Sequence, residues 1–282
     1  MLANKYVIVT GANKGIGFAL VEKLLQHPDK PNVMLTSRNP ILGKQAYETL
    51  LKKYPKEESR LDYSELDINS SSSIEDFRDW LADYRFKFDV LINNAAMGDA
   101  RDIMMAKGYS MTADEIRKTV QTNFFSTVEL TEALLPYLSP EGKIVTMSSL
   151  VARFGMQGKP INEFLSNPNV TKEQLFEKMK EFEELAVEGK HTEAGFSKAI
   201  YNVTKAFINA YTKSVLAPQM KDSQSCYVVY PGWCQTTMGG AQAPITAEQG
   251  TFSAMSVLEF DKETSKKNNG GFFDDKAKPI PY

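Results

Sequence analysis

A tyrosine and a lysine lie four residues apart in the segment YNVTK (201–205), and together they could carry out proton chemistry. On a helix, residues i and i+4 lie one above the other, so Tyr201 and Lys205 would point the same way. A free tyrosine has a pKa near ~10, and a neighbouring cation favours phenolate and lowers that pKa. Such a tyrosine can donate a proton to a carbonyl oxygen as hydride reaches the carbon. Taken alone, the pair also fits a solvated helix face.

A glycine-rich turn, TGANKGIG (10–17), follows the apolar run YVIVT and precedes a segment of helical period. Gly11 allows a tight turn, while Gly15 and Gly17 let the backbone approach a pyrophosphate and let the helix pack closely. Exposed backbone N–H groups and the helix dipole favour anions there. The turn therefore predicts a site for the phosphates of a dinucleotide.

The end of the second apolar run indicates which dinucleotide binds. NAD-binding chains usually place Asp or Glu there, to bond the ribose hydroxyls. This chain has TSRN, with no acid; Arg38 lies in that region and Lys14 lies inside the glycine turn. Two cations near an adenosine ribose suit a 2′-phosphate, so we predict NADPH/NADP+ over NADH. A solvated loop cation is the alternative interpretation of Arg38.

The composition excludes several classes of protein. The 282 residues carry a formal net charge of −2, so no basic field predicts nucleic acid or an anionic membrane as a partner. The apolar runs are too short to span a bilayer, and the first residues lack the layout of a signal peptide. Cys226 and Cys234 suggest no disulfide framework, which favours a cytoplasmic location. His27 and His191 are isolated in the sequence, and we predict no metal site.

Short apolar runs alternate with segments of helical period along the chain. Near-continuous apolar strands that alternate with helices predict an α/β fold, a doubly wound, three-layer Rossmann-type parallel sheet. The predicted strands are 6–10, 32–38, 61–68, 88–96, 142–149 and 225–231. The predicted helices are 15–26, 41–54, 72–84 (opened by Ser72 with Glu75), 113–138 and 201–216.

A polar insert, about 155–195, interrupts this rhythm before the tyrosine. It contains a predicted helix, 172–187, with a capping box in TKEQ (171–174) and Gly189 just past its end. Its apolar stripe is formed by Leu175, Met179, Phe182 and Leu185. We predict that the stripe packs onto the domain, with a partner-binding helix as the alternative.

Seven motifs follow one another in a family's order and spacing: the glycine turn (11–17), LDI (66–68), NNAA (93–96), TNFF (122–125), IVTMSS (144–149), YNVTK (201–205) and PGWCQTTM (231–238). With them the chain resembles the short-chain dehydrogenase/reductase family over nearly its whole length. The long insert makes it similar to the monomeric NADPH-dependent carbonyl reductase branch; plant salutaridine and menthone reductases are similar in layout. The resemblance implies one Rossmann-type domain over 1–282.

The resemblance also implies roles for four residues. Tyr201 would be the general acid, and Lys205 would lower its pKa and bond the nicotinamide ribose. Ser149, rather than Ser148, would hold the substrate carbonyl and the developing oxyanion. Asn123 would stabilise its helix and support a water-linked proton relay to Lys205.

The cofactor contacts are implied in the same way, and two motifs depart from the family pattern. The usual NNAG is NNAA here, which adds the Ala96 methyl group, and PGW is followed by Cys234, Gln235, Thr236 and Thr237 in place of Val-Arg-Thr-Asp. A small apolar spacer is the alternative interpretation of Cys234. The residues expected at the cofactor are Gly11, Asn13, Lys14, Gly15, Ile16, Gly17, Arg38, Asp67, Ile68, Asn94, Ala95, Ala96, Tyr201, Lys205, Pro231, Gly232, Cys234 and Thr236.

Aromatic and methionine side chains are expected around Ser149 and Tyr201, where they would form an adaptable apolar pocket. Each could be core instead. The candidates are Met97, Phe154, Met156, Phe196, Trp233 and Met238. Phe272 or Phe273, in a C-terminal segment that suggests a short edge strand, could close the pocket.

The sequence therefore predicts an NADPH-dependent enzyme that reduces small carbonyl compounds (aldehydes, ketones, quinones) to alcohols. Two alternatives stay open: an NADP(H)-dependent alcohol or steroid dehydrogenase, and a non-catalytic NADP(H)-binding redox regulator. By resemblance to the carbonyl reductase branch we expect a monomer, because the insert could cover a surface through which other members pair.

Overall fold

An eight-stranded sheet forms the centre of the computed structural model, which describes residues 2–221 and 223–282. The strands are β1 (Tyr6–Val9), β2 (Asn32–Ser37), β3 (Leu61–Glu65), β4 (Phe88–Asn93), β5 (Leu138–Met147), β6 (Ser225–Val229), β7 (Cys234–Gln235), β8 (Ile245–Thr246), β9 (Gly271–Phe273) and β10 (Pro279–Ile280). The order in the sheet is β3-β2-β1-β4-β5-β6-β9-β10, and β7 and β8 form a separate parallel pair.

Eleven helices flank the sheet within the described residues. They are α1 (Gly15–Leu25), α2 (Pro40–Lys53), α3 (Ser71–Asp83), α4 (Ala100–Ile103), α5 (Ala113–Val120), α6 (Thr127–Leu134), α7 (Lys159–Ser166), α8 (Lys172–Val187), α9 (Ile200–Tyr211), α10 (Phe252–Leu258) and α11 (Lys262–Lys267). None of these described helices is long and apolar enough to cross a membrane. The predicted doubly wound α/β fold is confirmed.

All six predicted strands pair in parallel, as expected. The C-terminal segment differs from the single edge strand that was expected. β9 pairs in parallel with β6, and β10 turns back against β9 as the antiparallel edge. Phe272 and Phe273 are almost fully buried in this arrangement, so neither closes the cavity described below.

Alternation along the strands builds two cores, one on each face of the sheet. Val7 and Val9 of β1 face the core under α1, α2 and α10, whereas Ile8 faces the core under α3, α5, α6, α8 and α9. Because successive strand side chains point to opposite faces, an apolar run is buried on both sides. In the sheet, β1 lies between β2 and β4, so the strand order changes direction between β1 and β4, and their carboxyl ends lie side by side at that point.

The predicted helix 113–138 is not continuous. A π-helical turn, Gln121–Ser126, separates α5 from α6, and a short 3-10 turn at Leu135–Tyr137 ends the run before β5 begins at Leu138. The Thr127 hydroxyl donates to the carbonyl of Thr122, five residues earlier, at 2.9 Å, which fits the wider turn. Pro136 has no N–H to continue the helix, which accounts for the early end.

The predicted N-cap of α3 is also wrong: the cap is Ser70, two residues before the predicted Ser72. The Ser70 hydroxyl accepts from the Ser73 backbone N–H at 3.3 Å, and the helix begins at Ser71. Ser72, the expected cap, instead pairs its hydroxyl with that of Ser70 at 2.9 Å. Four consecutive serines offer the same capping chemistry, so composition alone does not select among them.

The insert packs onto the domain, as predicted, and holds a second helix, α7, that was not predicted. The capping box at Thr171 and Gln174 is present, and Gly189 just past the end adopts φ +74°. Leu175, Met179 and Phe182 are fully buried against α5 and α9. Leu185 is only half-buried, and Ala186 takes its place on the inner face.

Candidate active site

A cavity of about 390 Å³ opens at the carboxyl edge of the sheet, beside the point where β1 and β4 are neighbours. Ligands of open α/β sheets bind at such a crevice. Two roomier surface grooves lie elsewhere, but the described residues that line them include none of the predicted site residues. The predicted residues that line the cavity are Gly11, Asn13, Lys14, Gly15, Ile16, Arg38, Asp67, Ile68, Asn94, Ala95, Ala96, Met97, Tyr201, Lys205, Pro231, Thr236 and Met238.

The glycine turn forms one wall of the cavity. Gly11 and Gly15 adopt φ +61° and +59°, conformations that side chains rarely tolerate. A Cβ on Gly17 would lie 2.4 Å from the side-chain Nδ2 of Asn94, so this glycine packs behind the wall instead of lining it. α1 begins at Gly15 without a side-chain cap, which leaves its first N–H groups free to meet an anion at the cavity.

Two cations stand at the end of the cavity near β2. Lys14 and Arg38 are both exposed there, and neither forms an ion pair with any residue that the structure describes. β2 ends at the buried Ser37, so no carboxylate follows it. Asp67 also lines this end, and its carboxylate accepts from the Asn69 backbone N–H at 3.0 Å. The cations are therefore available to a phosphate.

Tyr201 and Lys205 lie together on α9 and are both buried at the other end of the cavity. The Lys205 Nζ is 5.7 Å from the centroid of the Tyr201 ring, and it donates to the carbonyl of Met147 at 2.8 Å. Burial lowers the pKa of Lys205 to about 8. Both side chains therefore extend from α9 into the same cavity, as their spacing predicts.

The sequence led us to expect a lowered pKa for Tyr201, but the surrounding protein raises it. Burial raises the pKa of Tyr201 well above its usual value, because a phenolate would lose its hydration. Lys205 does not reverse this rise, since its ammonium is itself desolvated and donates to the Met147 carbonyl. Tyr201 therefore stays protonated at neutral pH and remains able to donate its proton.

The two serines at the end of β5 differ in their contacts. The Ser148 hydroxyl is buried, lines the cavity and donates to Oδ1 of Asn209 at 2.6 Å. Ser149 is half-buried, is not among the residues that line the cavity, and makes no side-chain hydrogen bond to a described residue. Ser148 is thus committed to α9, while the Ser149 hydroxyl is free to accept a partner.

Asn123 lies inside the π-helical turn and is nearly fully buried. Its Oδ1 accepts from the backbone N–H of Met97 at 2.7 Å, and its Nδ2 donates to the Met97 carbonyl at 2.8 Å and to the Thr204 hydroxyl at 3.1 Å. The side chain therefore fixes the segment after β4 against α9. Asn123 supports the cavity without lining it.

The substrate candidates divide into two groups. Met97 and Met238 line the cavity, whereas Trp233 and Met156 are 41% and 44% exposed outside its lining. The Phe154 ring packs on Tyr282, with centroids 5.3 Å apart, and Phe154 is not among the residues that line the cavity. Phe196 is buried in the core beside Phe182, so for this residue the core interpretation is the correct one.

Two residues of the PGWC motif lie behind the cavity wall. Gly232 adopts φ +87°, and a Cβ there would meet Ile245 at 2.3 Å. Cys234 is buried, its thiol lies 3.4 Å from the carbonyl oxygen of Pro231, and burial raises its pKa to about 11. These contacts favour the spacer interpretation of Cys234 over a reactive thiol.

Seven lining residues were not predicted as site residues, and five of them lie inside a recognised motif. They are Leu66, Asn69, Gly98, Thr122, Met147, Ser148 and Thr237. Membership of LDI, TNFF, IVTMSS or PGWCQTTM was the signal for these five, and Asn69 directly follows LDI. Gly98 had a weaker signal, although a Cβ there would lie 2.8 Å from the Tyr201 ring.

The two histidines are less isolated than the sequence suggests. His27 Nε2 lies 3.0 Å from a carboxylate oxygen of Glu259, and its Nδ1 accepts from the Asp29 backbone N–H. These three side chains form a compact group, but both ring nitrogens already have partners, which favours a hydrogen bond from His27 to Glu259 over metal ligation. His191 packs edge-on against Phe182 in the insert.

The fold and the site together are those of a dinucleotide-dependent oxidoreductase: a doubly wound sheet, a glycine turn, a cavity where the strand order changes direction, and a buried Tyr-Lys pair. Comparison with protein families supports this class. Residues 5–161 match the short chain dehydrogenase family. The chain belongs to that family, which confirms the resemblance drawn from its motifs.

Relatives with known names extend the match beyond the family region. The chain is 31% identical over 249 residues to carbonyl reductase (NADPH) 1 of Rattus norvegicus, covering 86% of each chain. It is 30% identical over 269 residues to the Bos taurus protein of the same name, covering 93% of this chain and 94% of that one.

Solved structures share the fold. Salutaridine reductase from Papaver somniferum superposes with a TM-score of 0.82 at 24% identity, over 96% of this chain and 99% of that one. Carbonyl reductase Sniffer of D. melanogaster superposes with a TM-score of 0.68 at 25% identity, over 99% and 100%.

Proposed function

We propose that this chain reduces carbonyl compounds (aldehydes, ketones and quinones) to alcohols with NADPH. The observation that carries the proposal is one cavity with a glycine turn and two cations at one end, neither of which is ion-paired to a described residue, and with buried Tyr201 and Lys205 at the other end. The carbonyl reductase relatives, whose names include NADPH, support the same cofactor and reaction.

The residues present fit NADPH. Lys14 and Arg38 would pair with the 2′-phosphate, and the first N–H groups of α1 would meet the pyrophosphate. The positive φ angles of Gly11 and Gly15 leave the wall without side chains where the backbone must come close. When bound, the cofactor supplies the hydride.

The chain's own side chains then handle the carbonyl oxygen. Tyr201, kept protonated by its burial, donates its proton to that oxygen as the carbon is reduced. The Lys205 ammonium stabilises the negative charge left on the phenol oxygen. Ser149, whose hydroxyl bonds no residue that the structure describes, holds the substrate oxygen, and Asn123 holds the segment at Met97 in place.

The substrate end of the cavity favours uncharged carbonyl compounds. Met97 and Met238 provide flexible apolar contact, and Gly98 packs directly against the Tyr201 ring, where a side chain would clash. Lys205 is the one lysine or arginine among the described lining residues at this end, and its ammonium is already bonded to Met147. A carboxylate on the substrate would therefore find no spare cation.

Turnover of NADPH with a panel of aromatic aldehydes and quinones tests the proposal. Wild type should oxidise NADPH only when a carbonyl compound is present. Tyr201→Phe should reduce kcat at least about 100-fold because the proton donor is lost, while NADPH affinity stays within about twofold. Wild-type rates in Tyr201→Phe would contradict Tyr201 as the proton donor. No turnover of any compound in the panel would contradict the proposed carbonyl reduction.

The monomeric state and the cytoplasmic location are part of the same proposal. α8 of the insert packs on α5 and α9, so this face is already covered by the chain itself. Cys226 and Cys234 are both buried as free thiols, which suits a reducing compartment.

A further inference from the structure

The helix that carries Tyr201 receives its N-terminal cap from a distant part of the chain. α9 begins at Ile200, and the preceding Ala199 has no side chain that could cap it. The backbone N–H of Ile200 donates to Oδ1 of Asp102 at 3.1 Å, and that of Tyr201 donates to Oδ2 at 2.9 Å. One carboxylate thus bonds two amides that a local cap residue would normally serve.

Asp102 is committed to this contact. It is only 8% exposed, and it makes no ion pair with a described residue. Burial raises the pKa of its carboxyl, while the two backbone hydrogen bonds and the nearby His191 act in the opposite direction. An isolated buried carboxylate is unfavourable unless its hydrogen bonds are satisfied, so this placement depends on the two amides of α9.

The residues around Asp102 close over Tyr201 as one segment, residues 97–103, here called the strap. At its start, Asn123 bonds both the N–H and the carbonyl of Met97. Gly98 approaches the Tyr201 ring so closely that a Cβ there would lie 2.8 Å from Cδ2. At its end, Asp102 bonds the Tyr201 backbone. Tyr201 is therefore contacted on its ring and on its backbone by the same strap.

We propose that Asp102 is a positioning residue for the reduction: it caps α9 from the strap and so fixes the Tyr201 phenol and the substrate-facing wall at Met97 and Gly98 relative to each other. The proposal rests on the proposed function for its catalytic consequence. Its structural half, that one carboxylate holds two segments together, stands on the hydrogen bonds alone.

The test compares Asp102→Ala, Asp102→Asn and the control Asp114→Ala by steady-state kinetics and amide hydrogen exchange. Asp114 is an exposed carboxylate paired with Lys118 on α5, so its loss should change neither readout. Asp102→Ala should lower kcat by about 10- to 100-fold, because small displacements of a reacting group have effects of this size. NADPH affinity should stay within about twofold, since Asp102 is not part of the cavity lining.

Asp102→Asn keeps one acceptor oxygen and should recover part of the loss, whereas a charge effect alone would leave both variants equal. In Asp102→Ala, exchange should accelerate in the strap and at residues 200 and 201 together, with α8 unchanged. Faster exchange throughout the protein would indicate general destabilisation and overturn the proposal. Wild-type kcat, or amides that stay protected at residues 200 and 201, would also overturn it.

The exchange experiment does not depend on turnover. If wild type reduces no carbonyl compound, the proposed function fails, and the exchange of the strap still decides whether Asp102 holds it to α9. If wild type is active and Asp102→Ala behaves as Asp114→Ala does, only the positioning role fails.

Discussion

At the scale of single residues, burial determines the chemistry of Tyr201 and Lys205. Their spacing predicts that they face the same space, and they do. The sequence could not predict the direction of the tyrosine's pKa, because that depends on how much water the fold removes from the phenol and on where the lysine directs its ammonium. Both depend on residues far away in the chain, such as Met147.

The lowered pKa of Lys205 predicts how reduction depends on pH. With a pKa of about 8, the ammonium is charged below that pH and is lost as pH rises through it. The raised pKa of Tyr201 adds no loss of the proton donor in the same range. We expect kcat/KM for carbonyl reduction to fall above about pH 8, with Lys205→Arg, which stays charged, lacking this limb. A flat wild-type profile up to pH ~10 would contradict this assignment.

The two serines give a paired prediction. Ser149→Ala should lower kcat by about 10- to 100-fold with stability nearly unchanged, because its hydroxyl bonds no described residue. Ser148→Ala should instead cost about 1–3 kcal/mol of unfolding free energy, since it leaves the buried Asn209 Oδ1 without its partner. Denaturant melts and kinetics on both variants measure the contrast. The reverse pattern would move the oxyanion role to Ser148, which also lines the cavity.

At the scale of elements, apolar periodicity predicts which segments exist and fails where side chains interrupt them. The six parallel strands and α8 were predictable because their apolar patterns are long and regular. The π-helical turn at Gln121–Ser126 was not, since it involves a threonine hydroxyl bonded five residues back and the Asn123 contacts to Met97. The same interruption places Asn123 under the cavity, which a regular helix pattern does not indicate.

The insert helix makes the element-scale prediction. Phe182 of α8 is fully buried, and its ring lies 4.9 Å from that of Phe196. Phe182→Ala should lower the free energy of unfolding by about 3–5 kcal/mol. The matched control, Glu177→Ala, removes an exposed side chain of the same helix and should stay within about 0.5 kcal/mol. An unaffected melt in Phe182→Ala would mean that the helix is only loosely attached.

At the scale of the whole molecule, the insert decides which surfaces remain free. α7 and α8 both pack on α9, and α8 also packs on α5, so the insert covers a face that was expected to serve for pairing in other family members. Sedimentation equilibrium should therefore give the mass of one chain across the concentrations used for assay. A stable tetramer would contradict the proposed monomer. That residues 1–282 form a single domain stays a prediction.

The most direct test of the central claim is the ratio of kcat/KM with NADPH to kcat/KM with NADH, for reduction of one aromatic aldehyde. Lys14 and Arg38 stand unpaired among the described residues at the end of the cavity where no acid follows β2. Wild type should therefore favour NADPH by at least about tenfold, and Arg38→Ala should lose most of that preference. A ratio near one in wild type that stays the same in Arg38→Ala would contradict an NADPH-dependent reductase.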